Sequence, residues 1–268
     1  MTIDQDKLSA LISRPARPAA ATELRREENV FFIGGGLQAR ETLEALFDSY
    51  CQAPAELFHL AFGDIGHFHL GEELARQIKK NFSAHLLGRL DYPAPPFIIE
   101  RAYAAGVDIL DIPLNVFDSG LAKERGIGKD ELLRSIQYAR TVFPKWGVAV
   151  TLLVGEEPPC STVSGIDYLL AAGVVPLVGI SARAAHYPAA EIGALFEELA
   201  ARWKKHRVAV KPLQPLLGLT TPLVSVRTKG ILRGFMERAY DRQLLATSDL
   251  RRSLRVKRVE ESFESAGL

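Results

Sequence analysis

The chain has 268 residues, a length at which an α/β barrel folds as one unit, and its 47% hydrophobic content excludes a disordered chain. A formal charge of +1 excludes nucleic-acid binding by bulk electrostatics. With only Cys51 and Cys160, a disulfide framework is excluded and a reducing cytoplasm is the expected location.

In chain order, the opening MTIDQDKLSA alternates charged and apolar residues and lacks the apolar run of a secretory signal. Residues 1–28 read as a helical lead-in. Val30–Ile33, Leu57–Phe62, Ala84–Leu87, Val107–Leu114, Val148–Val154, Val174–Ile180 and Val208–Val210 read as strands. Several are rich in Val, Ile and Leu at every position, as strands buried on both faces of a parallel sheet are. Between them, Leu43, Leu46, Phe47 and Tyr50 share one helical face, as do Ile192, Leu195, Phe196, Leu199 and Trp203. Asp130 is placed to cap a helix carrying Leu132, Leu133, Ile136, Ala139 and Phe143, and Pro95–Pro96 and Ser161–Thr162 are placed to start others. The longest apolar run, Ala171 to Ile180, is broken by Pro176 and is about half a membrane span, so no membrane crossing is expected.

Alternating strand–helix units imply parallel pairing through right-handed crossovers. The expected fold class is α/β: a full or partial (β/α) TIM-type barrel of parallel strands over residues 29–213, with residues 214–268 as a C-terminal helical extension packed on it. An open doubly wound sheet fits the same strand pattern. Leu216–Leu219 and Thr220–Val226 read as irregular, followed by Arg-rich helices. Arg251, Arg255 and Arg258 share a helical face balanced by Glu260, Glu261 and Glu264, which suits a solvated face or a protein partner better than nucleic acid.

In either architecture, reacting groups lie just beyond strand carboxyl ends, where the loops converge on one cleft. Those positions hold Gly34–Gly36, Asp64, His67, His69, Arg89, Asp91, Asn115, Asp118, Glu156, Glu157, Ser181, Arg183, Lys211 and Gln214. Gly34, Gly35 and Gly36 stand between a strand and a helix. Their amides can cradle an anion, or they serve a turn needing positive φ. From Gly63 to His69 the polar residues are densest. There His67 and His69 form an H-x-H pair able to hold a metal, with Asp64 or His59 as a further ligand, or to move protons beside Asp64. A solvated loop with an exposed Phe68 is the plainer reading. Glu156 and Glu157 can hold an amine or hydroxyls, split their pKa values for acid–base work, or enter a helix as dipole-favoured acids. Arg89 and Asp91, two apart, point to one side as an ion pair or a carboxylate clamp. Cys160 has no neighbouring histidine and is not read as a nucleophile.

Three segments carry a resemblance. Ala105-Gly106-Val107-Asp108-Ile109-Leu110, VAVTLLVGEE over Val148–Glu157, and IDYLLAAGVVPLVGI over Ile166–Ile180 are similar to the later barrel strands of biotin-synthase-like radical-SAM enzymes. ATELRREENVFFIG loosely resembles the entry to that family's first strand, and the likeness spans about two thirds of the chain. The resemblance implies a TIM-type barrel that takes S-adenosylmethionine at its strand ends. Gly63-Asp64 would then lie by the methionine amine, Asn115 would be the fourth-strand polar group, and Val154–Glu157 would lie by the adenine.

The departure concerns the [4Fe–4S] cluster, which the family holds with a CxxxCxxC loop after its first strand. Here that place reads GGGLQARETLEALF, and two cysteines in the whole chain cannot supply three thiolates. No such cluster is expected, and radical cleavage of S-adenosylmethionine by the family's route is excluded. The expectation is a cluster-free, radical-SAM-like barrel acting as a non-radical enzyme or as an accessory protein in cofactor biosynthesis. It would bind a small polar ligand, with a protein partner or a second copy of itself as candidates. An aldolase-type barrel lyase or metal-assisted hydrolase, using Lys211, Glu156 or the His67/His69 loop, and a non-catalytic binding protein for a small molecule or another subunit are the alternatives.

Overall fold

A computed structural model describes residues 1–224 together with 249–250 and 252–253. The chain opens with β1 (Thr2–Ile3) and α1 (Gln5–Ser13), which is capped by Asp4 accepting from the Lys7 amide at 3.0 Å. Then follow β2 (Leu24–Glu27), β3 (Val30–Gly34), α2 (Ala39–Gln52), β4 (Leu57–Ala61), α3 (Phe68–Asn81), β5 (His85–Arg89) and α4 (Pro96–Ala104). The second half adds β6 (Ile109–Asp111), α5 (Ser119–Glu124), α6 (Lys129–Val142), β7 (Val148–Val154), α7 (Pro159–Ala171) and β8 (Val175–Ile180). After a 3-10 turn at Ala182–His186 come α8 (Ala189–His206), a second 3-10 turn at Lys211–Leu213, α9 (Gln214–Thr220) and β9 (Leu223–Val224).

The main sheet runs β2-β3-β4-β5-β6-β7-β8; β2 is antiparallel to β3, and every other pair is parallel. Each crossover therefore steps to the next position in the same direction. A doubly wound sheet reverses its strand order at a switch point. No reversal occurs here, and the sheet curls into a half-barrel whose ends, β2 and β8, do not pair with each other. Of the full or partial barrel expected, the described residues form the partial one.

Packing explains the curl's inside and outside. Phe31 stacks on Phe58 at 5.3 Å, and Phe58 in turn meets Tyr50 of α2 and Phe82 after α3. The alternation of strand side chains sends Phe32 and His59 the other way, to the concave face, where their rings lie 5.3 Å apart. The stripe Ile192, Leu195, Phe196, Leu199 and Trp203 on α8 is buried throughout, as its spacing predicts.

Several elements differ from expectation. Val208–Val210 is not a strand: α8 ends on Arg207 in the left-handed region, and the next residues turn into the 3-10 segment. Residues 1–28 contain β2, whose LRRE sequence carries charge where parallel strands carry valine; as an antiparallel edge strand it is partly exposed. Leu216–Leu219 is helical and not irregular, because α9 buries Leu216 and Leu217, and Leu223–Val224 forms β9, which pairs with β1; residues 225 and 226 lie outside the described residues. α6 begins at Lys129, so Asp130 lies in its first turn rather than at its cap, and α7 begins at Pro159, ahead of Ser161–Thr162. Arg251, Arg255, Arg258, Glu260, Glu261 and Glu264 lie outside the described residues. Among the described residues no helix is long and apolar enough to cross a membrane.

Candidate functional site

The register of the parallel strands lines polar residues across the concave face. Ala61 pairs with Arg89, Arg89 with Asp111, and Asp111 with Ala149, which places Thr151 two residues further along the same face. Asp111 is 1% exposed. Thr151 Oγ1 lies 2.8 Å and 3.0 Å from its two oxygens and donates to it, and Arg89 Nη1 lies 3.4 Å from Oδ2. Burial pushes the Asp111 carboxyl up to about 6, with Arg89 and the Thr151 hydroxyl opposing the shift. Such a group exchanges its proton near neutral pH, which general acids and bases require.

Around this pair lie buried polar atoms that no described residue satisfies. His59 Nδ1, Tyr92 Oη and Asn115 Oδ1 each lack a hydrogen-bond partner. A buried polar group left unpaired costs about 1–3 kcal/mol; His59 lies mid-strand in β4, Tyr92 and Asn115 follow β5 and β6, and Trp203 Nε1 on α8 likewise has no partner among the described residues. His59 is held neutral: burial lowers its pKa to about 3, and the Arg89 charge adds to the effect. Burial raises Tyr92 to about 12, with Asp64 on the neighbouring loop contributing. Asn115 sits at φ 61. Its amide donates to the Thr151 carbonyl at 2.9 Å and its own carbonyl accepts from the Leu153 amide at 2.9 Å, which pins this left-handed residue against β7.

The other residues expected from the sequence divide by what they touch. Gly34, Gly35 and Gly36 spend their amides on the Glu23, Ala61 and Ala21 carbonyls at 2.8, 2.6 and 2.9 Å, so those donors are not free to cradle an anion. None of the three has positive φ. Gly34 and Gly35 are there for close approach, since a Cβ on Gly35 would stand 2.6 Å from the Ala61 carbonyl oxygen. Gly63, at φ 74, opens the exposed loop before α3.

In that loop His67 Nδ1 lies 2.9 Å from Asp64, whose carboxylate also accepts from the His67 amide at 3.0 Å, and the pair is two-thirds exposed. These hydrogen bonds to His67 hold the Asp64 carboxyl below its ordinary range. His69 is exposed in the first turn of α3, while Phe68 between the histidines is buried, stacked 4.8 Å from Phe62. Among the described residues, no three His, Cys, Asp or Glu side chains gather as a metal-ligating group.

Glu157 faces inward and is 2% exposed. It accepts from the Phe117 and Asp118 amides at 2.8 and 2.6 Å and from Thr162 Oγ1 at 3.1 Å, bracing the loop beyond Asn115. Burial raises its pKa. Glu156 instead lies at the rim between Arg125 and Arg183. Ser181 Oγ caps the 3-10 turn by accepting from the Arg183 amide at 3.2 Å, and Asp118 caps α5 through the Leu121 amide at 2.9 Å. Arg89 Nε donates to Asp91 at 2.8 Å. Lys211 and Gln214 begin the second 3-10 turn and α9, and because Val208–Val210 is not a strand, neither follows the end of one. Cys51 and Cys160 are exposed and unpaired.

Asp111, Thr151 and Tyr92 were not expected from strand-end reading: Thr151 lies within β7, and Asp111, the last residue of β6, falls inside the longer run Val107–Leu114 that reads as one strand. The signal was present: an aspartate inside the apolar run ILDIPL is a buried charge, and buried charges are more informative than exposed ones.

No protein-family model matches the sequence, and no curated protein matches it. Among solved structures, the chain is similar to coproporphyrinogen III oxidase from Escherichia coli, a radical-SAM enzyme, with a TM-score of 0.38 and 14% identity. The likeness covers 67% of this chain and 45% of that enzyme, so the chain spans less than half the length of the protein it matches.

Proposed function

We propose that the concave face of the half-barrel binds a small polar ligand, S-adenosylmethionine or a relative of it. In this reading the protein works without an iron–sulfur cluster, as a non-radical enzyme or as an accessory protein in cofactor biosynthesis. The observation that carries the reading is the set of buried atoms without a partner among the described residues, His59 Nδ1, Tyr92 Oη and Asn115 Oδ1, taken with the Arg89–Asp111–Thr151 cluster. They offer hydrogen-bonding groups of both kinds, and Asp111 and Arg89 offer both signs of charge. A ligand carrying an amine, a carboxylate and ribose hydroxyls uses such a mixture.

The residues do not fit a [4Fe–4S] cluster. The loop after β3 holds no cysteine, and the chain's two thiols, Cys51 at the end of α2 and Cys160 in the first turn of α7, are fewer than the three a cluster needs. Radical chemistry through such a centre therefore has no part in this reading. Bound S-adenosylmethionine supplies an activated methyl group on a sulfonium centre. The chain's own part is to orient the ligand on Asn115 and Tyr92, to fix its charged groups on Arg89 and Asp111, and to accept or return a proton at Asp111.

The test is calorimetric titration of the full chain with S-adenosylmethionine and S-adenosylhomocysteine, after anaerobic reconstitution with iron and sulfide and assay of bound iron. Ligand binding without stoichiometric iron, weakened about tenfold or more by Asp111→Asn or Arg89→Gln, is the expected result. One equivalent of cluster with release of 5′-deoxyadenosine would overturn the cluster-free reading. Absence of binding by either compound would overturn the ligand.

A further inference from the structure

The rim of the half-barrel carries a second charged cluster on the β6–β8 side. Glu156 follows Gly155, which has φ 96 and whose Cβ would stand 2.3 Å from the Ala184 amide nitrogen. No side chain fits there, so the loop after β7 is pressed against the 3-10 turn after β8. That contact holds Glu156 and Arg183 on adjoining loops, and Arg183 Nη1 donates to Glu156 Oε2 at 2.9 Å. From the other side comes Arg125, the C-cap of α5 in the connection after β6. Its Nη1 donates to the same Oε2 at 2.5 Å, and its Nη2 donates to the Glu156 carbonyl at 2.8 Å.

Two guanidiniums from separate loops thus converge on one carboxylate oxygen. The trio carries two positive charges against one negative. Glu156 is 18% exposed, Arg125 30% and Arg183 57%, so the cations are the more open side of the cluster. One arginine neutralises a carboxylate, and an exposed second ion pair adds little to stability while ordering a long side chain. A structural role for Glu156 accounts for Arg125, which makes two bonds to it, but gives no reason for Arg183. Paired guanidiniums around a single oxygen are the arrangement that carboxylate and phosphate groups seek.

We infer that Arg125 and Arg183 form an anion subsite at the rim of the cleft, taking a carboxylate or phosphate group of the ligand, with Glu156 occupying that place until the anion displaces it. The inference rests on the reading of a ligand cleft at the strand carboxyl ends, and it adds that the ligand carries an anionic end reaching the β7–β8 rim. Glu156 is then a competitor built into the site and not a catalytic residue. In place, it keeps the site from holding stray anions of low affinity.

The experiment is calorimetric titration of the full chain with inorganic pyrophosphate and, separately, with malonate. These probes share the anionic chemistry and distinguish a phosphate-bearing from a carboxylate-bearing ligand. Glu156→Gln removes the internal charge at nearly constant shape and is expected to bind one probe about tenfold or more tighter than the unaltered protein. Arg183→Ala, at a largely exposed position that leaves the fold intact, is expected to abolish that binding when combined with Glu156→Gln. Arg202→Ala, on the outer face of α8 beside Asp167 and Glu198, is expected to change nothing. If Glu156→Gln gains no affinity for either probe, or if the gain survives Arg183→Ala, the subsite is overturned. Thermal melts of each variant confirm that a loss is not unfolding. Anion binding that follows this pattern while both S-adenosyl compounds fail to bind would uphold the subsite and overturn the identity of the ligand alone.

Discussion

Arg89 and Asp111 face each other in register across β5 and β6, yet their contact is 3.4 Å, whereas Arg89 makes its shorter bond, 2.8 Å, to Asp91 at the rim. The arginine is shared, and the buried acid receives the weaker part. That division explains why burial prevails at Asp111 and lifts it to about 6. It leaves a half-compensated carboxyl on the concave face, with no stronger cationic partner among the described residues.

The first prediction follows from the sign of that shift. The folded protein holds the Asp111 proton more tightly than the unfolded chain does, so the group's contribution is full below the unfolded pKa. It is lost as pH rises through about 6. At pH 7.5 the ionised, buried Asp111 is therefore a burden, and Asp111→Asn should be more stable than the unaltered protein by about 1–3 kcal/mol. Near pH 4 the two should converge. Urea unfolding at both pH values checks this, and a variant less stable at pH 7.5 would show that Arg89 and Thr151 stabilise the carboxylate more than burial opposes it.

His59 gives a dependence of opposite sense. Its folded pKa of about 3 lies below the ordinary value of 6.5. The stability tied to its neutral form is present above about 6.5 and is lost as pH falls toward 3. His59→Leu fills similar space without a titrating group. Its stability should fall less steeply between pH 6.5 and pH 4 than that of the unaltered protein, read from guanidinium midpoints across that range. Identical slopes would place the acid sensitivity elsewhere.

The sheet was legible in the sequence wherever strands are buried on both faces. Val148–Val154 reads as a strand because it is apolar at nearly every position, and it is one over the same seven residues. β2 was not legible, since an antiparallel edge needs no apolar run, and LRRE looks like loop or helix. The cleft was half legible. Arg89 and Asn115 stand where strand ends predict, but Thr151 lies inside β7 and β6 ends at Asp111, earlier than its apolar run suggests, so only register brings the two beside Arg89. Glu156 and Glu157 could not be told apart from composition. Neighbours in sequence point to opposite sides, and the one that turned inward became a brace for backbone amides.

Glycine chemistry separates two further sites. Gly35→Ala would drive a Cβ to 2.6 Å from the Ala61 carbonyl oxygen and 2.9 Å from Phe62 backbone atoms. Backbone cannot yield as a side chain tip does, so a loss of about 2–4 kcal/mol is expected. Gly63→Ala meets nothing within 4 Å and faces only the strain of φ 74, for about 1 kcal/mol. Thermal melts of the two variants rank them, and an equal loss at both positions would remove close packing as the reason for Gly35.

The last prediction concerns the amino-terminal pole, opposite the cleft. Arg252 is buried there, donating from Nη2 to Asp108 Oδ1 at 3.0 Å and to the Val107 carbonyl at 3.2 Å. Lys79 Nζ lies 3.0 Å from the other carboxylate oxygen of Asp108, which also accepts from the Leu86 amide at 2.9 Å. Burial alone would raise the Asp108 pKa, but Lys79 and Arg252 outweigh it and hold the carboxyl below its ordinary value. One acid thus joins α3, the start of β5, the start of β6 and a residue more than a hundred positions later in the chain. Removing one partner of a buried ion pair leaves the other uncompensated, which costs about 3–5 kcal/mol. Lys79 remains after Arg252→Ala, so a loss of about 2–3 kcal/mol is expected for that variant, and a larger one for Asp108→Ala. The contribution of a depressed carboxyl is present above its unfolded pKa and is lost as pH falls, so the difference between Arg252→Ala and the unaltered protein should narrow toward pH 3. Urea unfolding, with hydrogen exchange read on the peptide spanning Asp249 to Ser253, measures both. An Arg252→Ala protein as stable as the unaltered one, with unchanged exchange in that peptide, would show that this segment is held by something other than Asp108.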